Sequence, residues 1–326
     1  MRRRMLIIVL LCIALCLLIL APIIAFTPLG TTVLTSTGIV TVPTPTPTPL
    51  PLASPTPIPT PRPVLTARGT PPPITATASL LLDADTGNVL YQHQGVKPLL
   101  MASTTKIMTA LIIIQTANLD QPIHVHQDAI DRVVLDDGSS AGLVVGDVLP
   151  LRDMLYALML PSGNDAAYAI ADELGGGDRA VFVARMNLFA RRLHLFQTHF
   201  NSPDGLTADS TTHYTTAYDL ALLSRYAMNI PLFAQVVKTE TYTAHAPNRD
   251  LVWTNTNKLI GTYKGISGIK TGHTFGAGYC LVFSATREQH HLIGVILNSP
   301  DEIQRNTDAA ALLDWGFQLP MLPSKV

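Results

Sequence analysis

Residues 43–73 contain 13 prolines in 31 positions, with Thr44, Thr46 and Thr48 alternating at the start. Proline fixes φ and has no N–H to donate, so neither a helix interior nor a central strand can run through such a stretch. The segment reads as an extended polyproline stalk, which at ~3.1 Å per residue reaches on the order of 90 Å. The other reading is a disordered linker glycosylated on threonine. Either state divides the chain, because the residues after the prolines must bury their own core without help from those before them.

Upstream, residues 5–26 form 22 positions without a charged side chain, directly after Arg2-Arg3-Arg4. About 20 apolar residues cross a bilayer as a helix, and flanking arginines stay cytoplasmic. The expected arrangement is a basic cytoplasmic tip at 1–4, a transmembrane anchor at 5–26, a Pro/Thr-rich linker at 27–76 and an exported domain at 77–322. A cleaved signal peptide is the alternative. The run is longer than the usual ~7–15-residue signal core, and Ile23-Ile24-Ala25-Phe26 lacks the small-x-small cleavage pattern. Both readings export the domain.

Charge becomes informative once the chain is divided. The first 75 residues carry five arginines and no acid, so residues 76–326 hold 17 Lys and Arg against 23 Asp and Glu. A mildly acidic folded part excludes nucleic acid as a partner, since that binding rests on clustered cations. One apolar segment excludes a multi-pass transporter. Cys12 and Cys16 lie in the apolar run, which leaves Cys280 alone as a core residue, with no disulfide framework and no cysteine metal site. His124-x-His126 and His290-His291 read as strand residues, so neither a metal nor a cofactor is expected.

The remaining ~245 residues suit one large domain with two lobes around a cleft. Residues 79–84 and 88–92 flank Asp85-Thr86-Gly87, a hairpin signal. Residues 103–117 read as a helix whose Ile107, Met108 and Leu111 to Ile114 leave almost no polar face, hence a central one. Further helices are expected at 151–160, 166–174, 180–193, 216–228 and 307–317, and strands at 279–285 and 291–297. Strands at both ends and helices between them predict an α+β fold, an antiparallel sheet built from the two chain ends with a helical lobe inserted.

Ser103-Thr104-Thr105-Lys106 opens the central helix. Positions i and i+3 share a helical face, so Lys106 can reach the Ser103 hydroxyl. A serine needs a base to become a nucleophile, and burial favours the neutral lysine that can serve. Spacing alone is weak, because Ser267-Gly268-Ile269-Lys270 repeats it. That second copy reads as strand, where i and i+3 face opposite ways.

Two further motifs come later in the chain, Ser162-Gly163-Asn164 at a helix break and Lys270-Thr271-Gly272 ahead of a strand. The trio matches that of penicillin-binding proteins and class A β-lactamases, whose middle element is Ser-Asp-Asn, with Gly163 here where the class A enzymes have Asp. The chain resembles the D-alanyl-D-alanine carboxypeptidases, the low-molecular-mass penicillin-binding proteins of the S11 serine peptidase family. The likeness extends over SLLLDADTGNVL at 79–90, ASTTKIMTAL at 102–111, LMLPSGNDAA at 158–167, NSPDGL at 201–206, AYDLALL at 217–223 and NTNKL at 255–259.

The resemblance implies a DD-peptidase/β-lactamase-like fold and assigns roles. Ser103 attacks the carbonyl between the two terminal D-alanines, Lys106 takes its proton, and Ser162 relays a proton to the leaving nitrogen. Asn164 holds Lys106 and the substrate amide. Lys270 and Thr271 bind the terminal carboxylate, Gly272 lets the substrate backbone lie close, and backbone N–H groups of Ser103 and His273 form the oxyanion hole. Arg305, placed by ungapped counting, is a second carboxylate contact. Implied partners are peptidoglycan pentapeptide stems and, as covalent inhibitors, β-lactams. The implied location is the extracytoplasmic face of a bacterial membrane.

A DD-endopeptidase would use the same chemistry, and a non-catalytic wall-binding protein could keep the fold. A class A β-lactamase needs a glutamate for deacylation. Between Asn164 and Lys270 only Glu173 and Glu240 occur, neither in a Glu-x-x-Leu-Asn setting. Many relatives continue into a β-rich domain and a C-terminal amphipathic anchor. This sequence ends at Val326, soon after Trp315-Gly316-Phe317, so attachment is expected from the N-terminus.

Overall fold

The computed structural model describes residues 63–323, apart from 136, 137, 208 and 248. The basic tip, the apolar run and the linker up to residue 62 lie outside the described residues.

The chain enters as β1 (Pro63–Leu65), then forms the hairpin β2 (Ala78–Asp83) and β3 (Val89–His93). Asp83 closes this turn, its carboxylate accepting from the Asp85 N–H and the Thr86 hydroxyl. A 3₁₀ turn at Ala102–Thr105 leads into α1 (Lys106–Thr116). Every residue of α1 from Lys106 to Ile113 is buried, as its nearly all-apolar circumference requires.

The helical lobe comes next. It contains β4 (Pro122–His124), α2 (Gln127–Leu135), β5 (Val148–Pro150), α3 (Leu151–Met159), α4 (Asn164–Leu174), α5 (Arg179–Arg192), α6 (Ala217–Met228) and α7 (Pro231–Lys238). Asp178 and Thr216 cap α5 and α6, accepting from the N–H groups of Ala180 and Asp219. A hairpin, β6 (Thr241–Ala246) and β7 (Arg249–Thr254), leads back toward the sheet. Then come β8 (Ile266–Thr274), β9 (Gly278–Arg287), β10 (His290–Ser299), α8 (Glu302–Phe317) and β11 (Met321–Pro323).

The main sheet is antiparallel with the order β3-β2-β10-β9-β8. Strands from the two chain ends meet at β2 and β10, where Leu80 sits opposite Val295. Both faces are covered, so all six residues of β2 are buried. Leu80 and Leu82 enter the large core that includes α1, α3 and α6, while Leu81 enters a second core with Leu312 and Leu313 of α8. Successive strand residues alternate faces, and two covered faces leave no polar register for β2 to show.

Some boundaries differ from expectation. The helix expected at 103–117 is a 3₁₀ turn followed by α1. The last helix begins at Glu302, five residues before 307, because the Asp301 carboxylate accepts from Gln304 N–H and caps it. Helices α2 and α7 and the β6–β7 hairpin were not expected. Pro231 in the first turn of α7 was a readable start signal. His126, expected in a strand, lies beyond the end of β4. Part of the segment expected as linker joins the folded body, since β1 pairs with β11 and the N–H groups of Thr75 and Ala76 donate to Asp308.

Candidate active site

The turn from Met101 to Lys106 is built from short local bonds. Thr104 Oγ1 donates to the Met101 carbonyl at 2.6 Å and Thr105 Oγ1 to the Ala102 carbonyl at 2.8 Å. Three residues make one 3₁₀ revolution, so positions i and i+3 eclipse, and Lys106 stands directly over Ser103. Its Nζ lies 2.9 Å from Ser103 Oγ, 3.3 Å from Ser162 Oγ and 2.6 Å from Asn164 Oδ1. An ammonium has three N–H groups, and these three oxygens account for all of them.

Lys106 is completely buried. Burial pulls its pKa down to about 8, against the opposing pull of Asp204 and Asp165. The backbone on both sides of the site is forced. Ala102 has φ +46° and Ser162 has φ +65°. Each is a left-handed conformation for a residue with a Cβ, costing about 1–3 kcal/mol.

The second serine occupies the break between α3 and α4. Ser139 Oγ donates to the Ser162 carbonyl at 2.8 Å, and Asn164 N–H donates to the Ser139 carbonyl at 2.8 Å. Asp165, which sequence reasoning passed over, secures this region. Its buried carboxylate accepts from the N–H groups of Ala141, Leu143 and Ala166 and from Ser140 Oγ. It thereby fixes the 139–143 loop that brings Ser139 to the site. An acid in the first turn, directly ahead of the run Ala166–Ala171, was the available signal.

The third side is β8, at the edge of the main sheet. Lys270 is buried, and its Nζ donates to the Thr271 carbonyl at 3.0 Å. Burial, then repulsion from Lys106 and Arg305, lowers its pKa well below the ordinary lysine value. Thr271 Oγ1 and Thr256 Oγ1 lie 2.6 Å apart. Gly272 is where β8 touches the nucleophile turn. A Cβ there would approach Ser103 N to 3.0 Å and the Ala102 Cβ to 3.1 Å. The need for glycine thus exists before any substrate arrives. His273 is exposed, its ring stacked on Tyr279 at 4.1 Å between centroids.

These surfaces enclose a cleft of about 410 Å³ whose lining includes Ser103, Ser162, Thr271, Gly272, His273 and Arg305. Lys106, Asn164 and Lys270 are buried beside it. Arg305, in the first turn of α8, is 3% exposed and donates to Glu302 Oε1 at 3.1 Å and to Asn306 Oδ1. All nine residues singled out in the sequence therefore gather here. His124, His126, His290 and His291 do not. Among the described residues no group of three or more His, Cys, Asp or Glu side chains is placed to hold a metal ion.

The D-alanyl-D-alanine carboxypeptidase family matches residues 66–301. The chain belongs to this family. It is 39% identical over 263 residues to the D-alanyl-D-alanine carboxypeptidase of Streptomyces sp. strain K15, covering 77% of this chain and 90% of that one. The relative DacF of Bacillus subtilis is 33% identical, and this chain spans 62% of its length. Among solved structures, the Streptomyces K15 DD-transpeptidase superposes with TM-score 0.73 at 38% identity, covering 76% of this chain and 99% of that one. Penicillin binding protein 6B of Escherichia coli gives 0.70 at 35% identity, over 77% and 80% of the two chains.

Within this D-alanyl-D-alanine carboxypeptidase fold the two buried lysines repel one another. An anion bound beside Lys270 favours the charged form of that lysine and so leaves Lys106 as the neutral one. The arrangement suits acyl transfer. It holds a serine with its base, a second hydroxyl on the far side of that base, and a buried lysine and arginine at one end of the cleft.

Proposed function

We propose that the chain is a serine-type D-Ala-D-Ala carboxypeptidase that removes the terminal D-alanine from peptidoglycan stem peptides through an ester on Ser103. The observation that carries this reading is Lys106 Nζ, held 2.9 Å from Ser103 Oγ and 3.3 Å from Ser162 Oγ inside the domain.

The substrate carboxylate docks toward Lys270, Thr271 and Arg305, which charges Lys270 and leaves Lys106 neutral. Lys106 takes the Ser103 proton as Oγ bonds to the carbonyl carbon. The oxyanion forms against the N–H groups of Ser103 and His273. The C–N bond to the terminal D-alanine breaks, and that nitrogen receives the Lys106 proton through Ser162. Water then attacks the ester while Lys106 takes its proton. The C–O bond breaks, and Ser103 Oγ regains the proton. With a β-lactam the ring amide opens by the first half, but the amine stays tethered beside the ester, so the adduct persists.

The test is release of D-alanine from a pentapeptide stem, together with the mass of the penicillin adduct on the peptide containing Ser103. Release retained by Ser103→Ala would overturn the mechanism. The solved Streptomyces neighbour is called a DD-transpeptidase, which supports a second reading in which an amine replaces water as acceptor. Adding a stem peptide with a free amine and weighing the products separates the two, and cross-linked muropeptides test endopeptidase action.

The extracytoplasmic location and the anchor at 5–26 rest on the sequence pattern. Membrane fractionation followed by N-terminal sequencing tests them, and a start at residue 27 or later would overturn the retained anchor. Among the described residues no single helix is long and apolar enough to cross a membrane.

A further inference from the structure

We infer that His213 is a positioning residue for the oxyanion-binding N–H of Ser103, acting through Thr105 and the Ala102 carbonyl. The inference rests on Ser103 being the nucleophile.

His213 is completely buried, 108 residues from the turn it touches. Its two ring nitrogens have different partners. Asn201 N–H donates to Nδ1 at 3.1 Å, so Nδ1 carries no proton. The neutral ring then carries its proton on Nε2, which lies 2.9 Å from Thr105 Oγ1. That hydroxyl gives its own hydrogen to the Ala102 carbonyl at 2.8 Å, so it accepts from the imidazole. The direction of every bond in the series is fixed, from Asn201 N–H to His213, to Thr105, to Ala102 O. Burial, then the charge of nearby His199, pulls the His213 pKa down to about 4, so the ring stays neutral near pH 7.

The end of this series matters because the Ala102 carbonyl and the Ser103 N–H belong to one planar peptide unit. Holding the oxygen on one side sets where the hydrogen points on the other. Ala102 needs such holding, since its φ of +46° is unfavourable for alanine. The same oxygen is walled in by Gly205, whose φ is +88° and whose missing Cβ would lie 1.9 Å from it. Asn201 and Gly205 both come from the 201–206 loop, and Thr109 Oγ1 bonds the Pro203 carbonyl of that loop at 2.6 Å. Hydrogen bonding to the carbonyl also polarises the peptide, strengthening its N–H as a donor.

The test is the rate of acylation by a fluorescent penicillin in wild type, His213→Leu, His213→Gln, Thr105→Val and the Leu/Val double variant, with melting temperatures alongside. Gln can place an amide N–H near the Nε2 position, whereas Leu cannot. Loss of a whole oxyanion donor costs roughly 10²–10³ in rate. A misdirected one should cost about tenfold in each of His213→Leu and Thr105→Val, in the acylation step with little change in pre-covalent binding. The double variant should be no slower than the worse single, and His213→Gln should recover to within about threefold of wild type. Wild-type rates in folded His213→Leu or Thr105→Val, multiplicative losses, or His213→Gln as slow as Leu would each overturn the inference. If His213→Leu does not fold, Thr105→Val reads the same bond at nearly unchanged volume. Failure of wild type to label at Ser103 would instead overturn the nucleophile itself.

Discussion

Ser103 and Lys106 stand three residues apart, and so do Ser267 and Lys270, yet the two pairs meet different fates. In the first, a 3₁₀ revolution eclipses the residues and brings Nζ to 2.9 Å from Oγ. In the second, the register of β8 shifts at a bulge between Ile266 and Gly268, and the Ser267 hydroxyl is taken up by β9 and not by Lys270. Ser267 Oγ bonds the carbonyl and hydroxyl of Ser284 on β9, and Lys270 Nζ bonds the Thr271 carbonyl. The shared spacing therefore makes one reacting pair and one strand fastening. Lys270 still serves the first pair, because β8 is the sheet edge that packs against the nucleophile turn. The two lysines are coupled there, since Lys106 helps push the Lys270 pKa down.

The sharpest way to break this comparison is to remove each serine in turn. Ser103→Ala should lower D-alanine release by on the order of 10⁴–10⁶, as loss of a nucleophile in a coupled set does. Lys106→Met should cost about 10²–10⁴, the usual worth of a general base, with penicillin acylation falling in parallel. Gly205→Ala tests whether the turn depends on its backing. A Cβ 1.9 Å from the Ala102 oxygen should cost about 2–3 kcal/mol of unfolding free energy by denaturant titration and slow acylation as well.

The pH profile comes next. Lys106 must be neutral to act and its pKa is about 8, so acylation should rise about tenfold per unit below that value and level off above it. Asp204→Asn removes a carboxylate that favours the charged lysine, so its midpoint should fall. A midpoint that rises instead would assign the limb to another group. The smallest effect belongs to Ser267→Ala, which should leave the rate within about twofold and cost about 1 kcal/mol or less of stability. A large catalytic loss there would erase the distinction between the two pairs.

Much of the site was legible because its motifs name the side chains that do chemistry. Ser103, Lys106, Ser162, Asn164, Lys270, Thr271, Gly272 and His273 all come from short runs with recognisable order. Arg305, found by counting alone, lies in the same cleft with them. The helix pattern of 151–160 and 216–228 was equally readable from apolar periodicity. What escaped notice were groups whose role is to hold others. Asp165 looks like any helix-start acid until four donors converge on it. His213 has no motif that separates it from the other nine histidines, and only its two hydrogen-bond partners do so. Short elements such as β5 and β11, three residues each, carry too little pattern to register.

By itself the sequence determined that a proline-rich segment separates an apolar run from a domain able to bury its own core, and that the domain carries serine, lysine, asparagine and threonine in an order suited to acyl transfer. Those facts follow from side-chain chemistry and local periodicity. Tertiary structure alone decided how far Lys106 is stripped of water, which peptide plane faces the cleft, and which side chains brace the nucleophile turn. Each of these depends on contacts between residues tens to hundreds of positions apart, and a buried charge or a fixed carbonyl exists only once those contacts have closed.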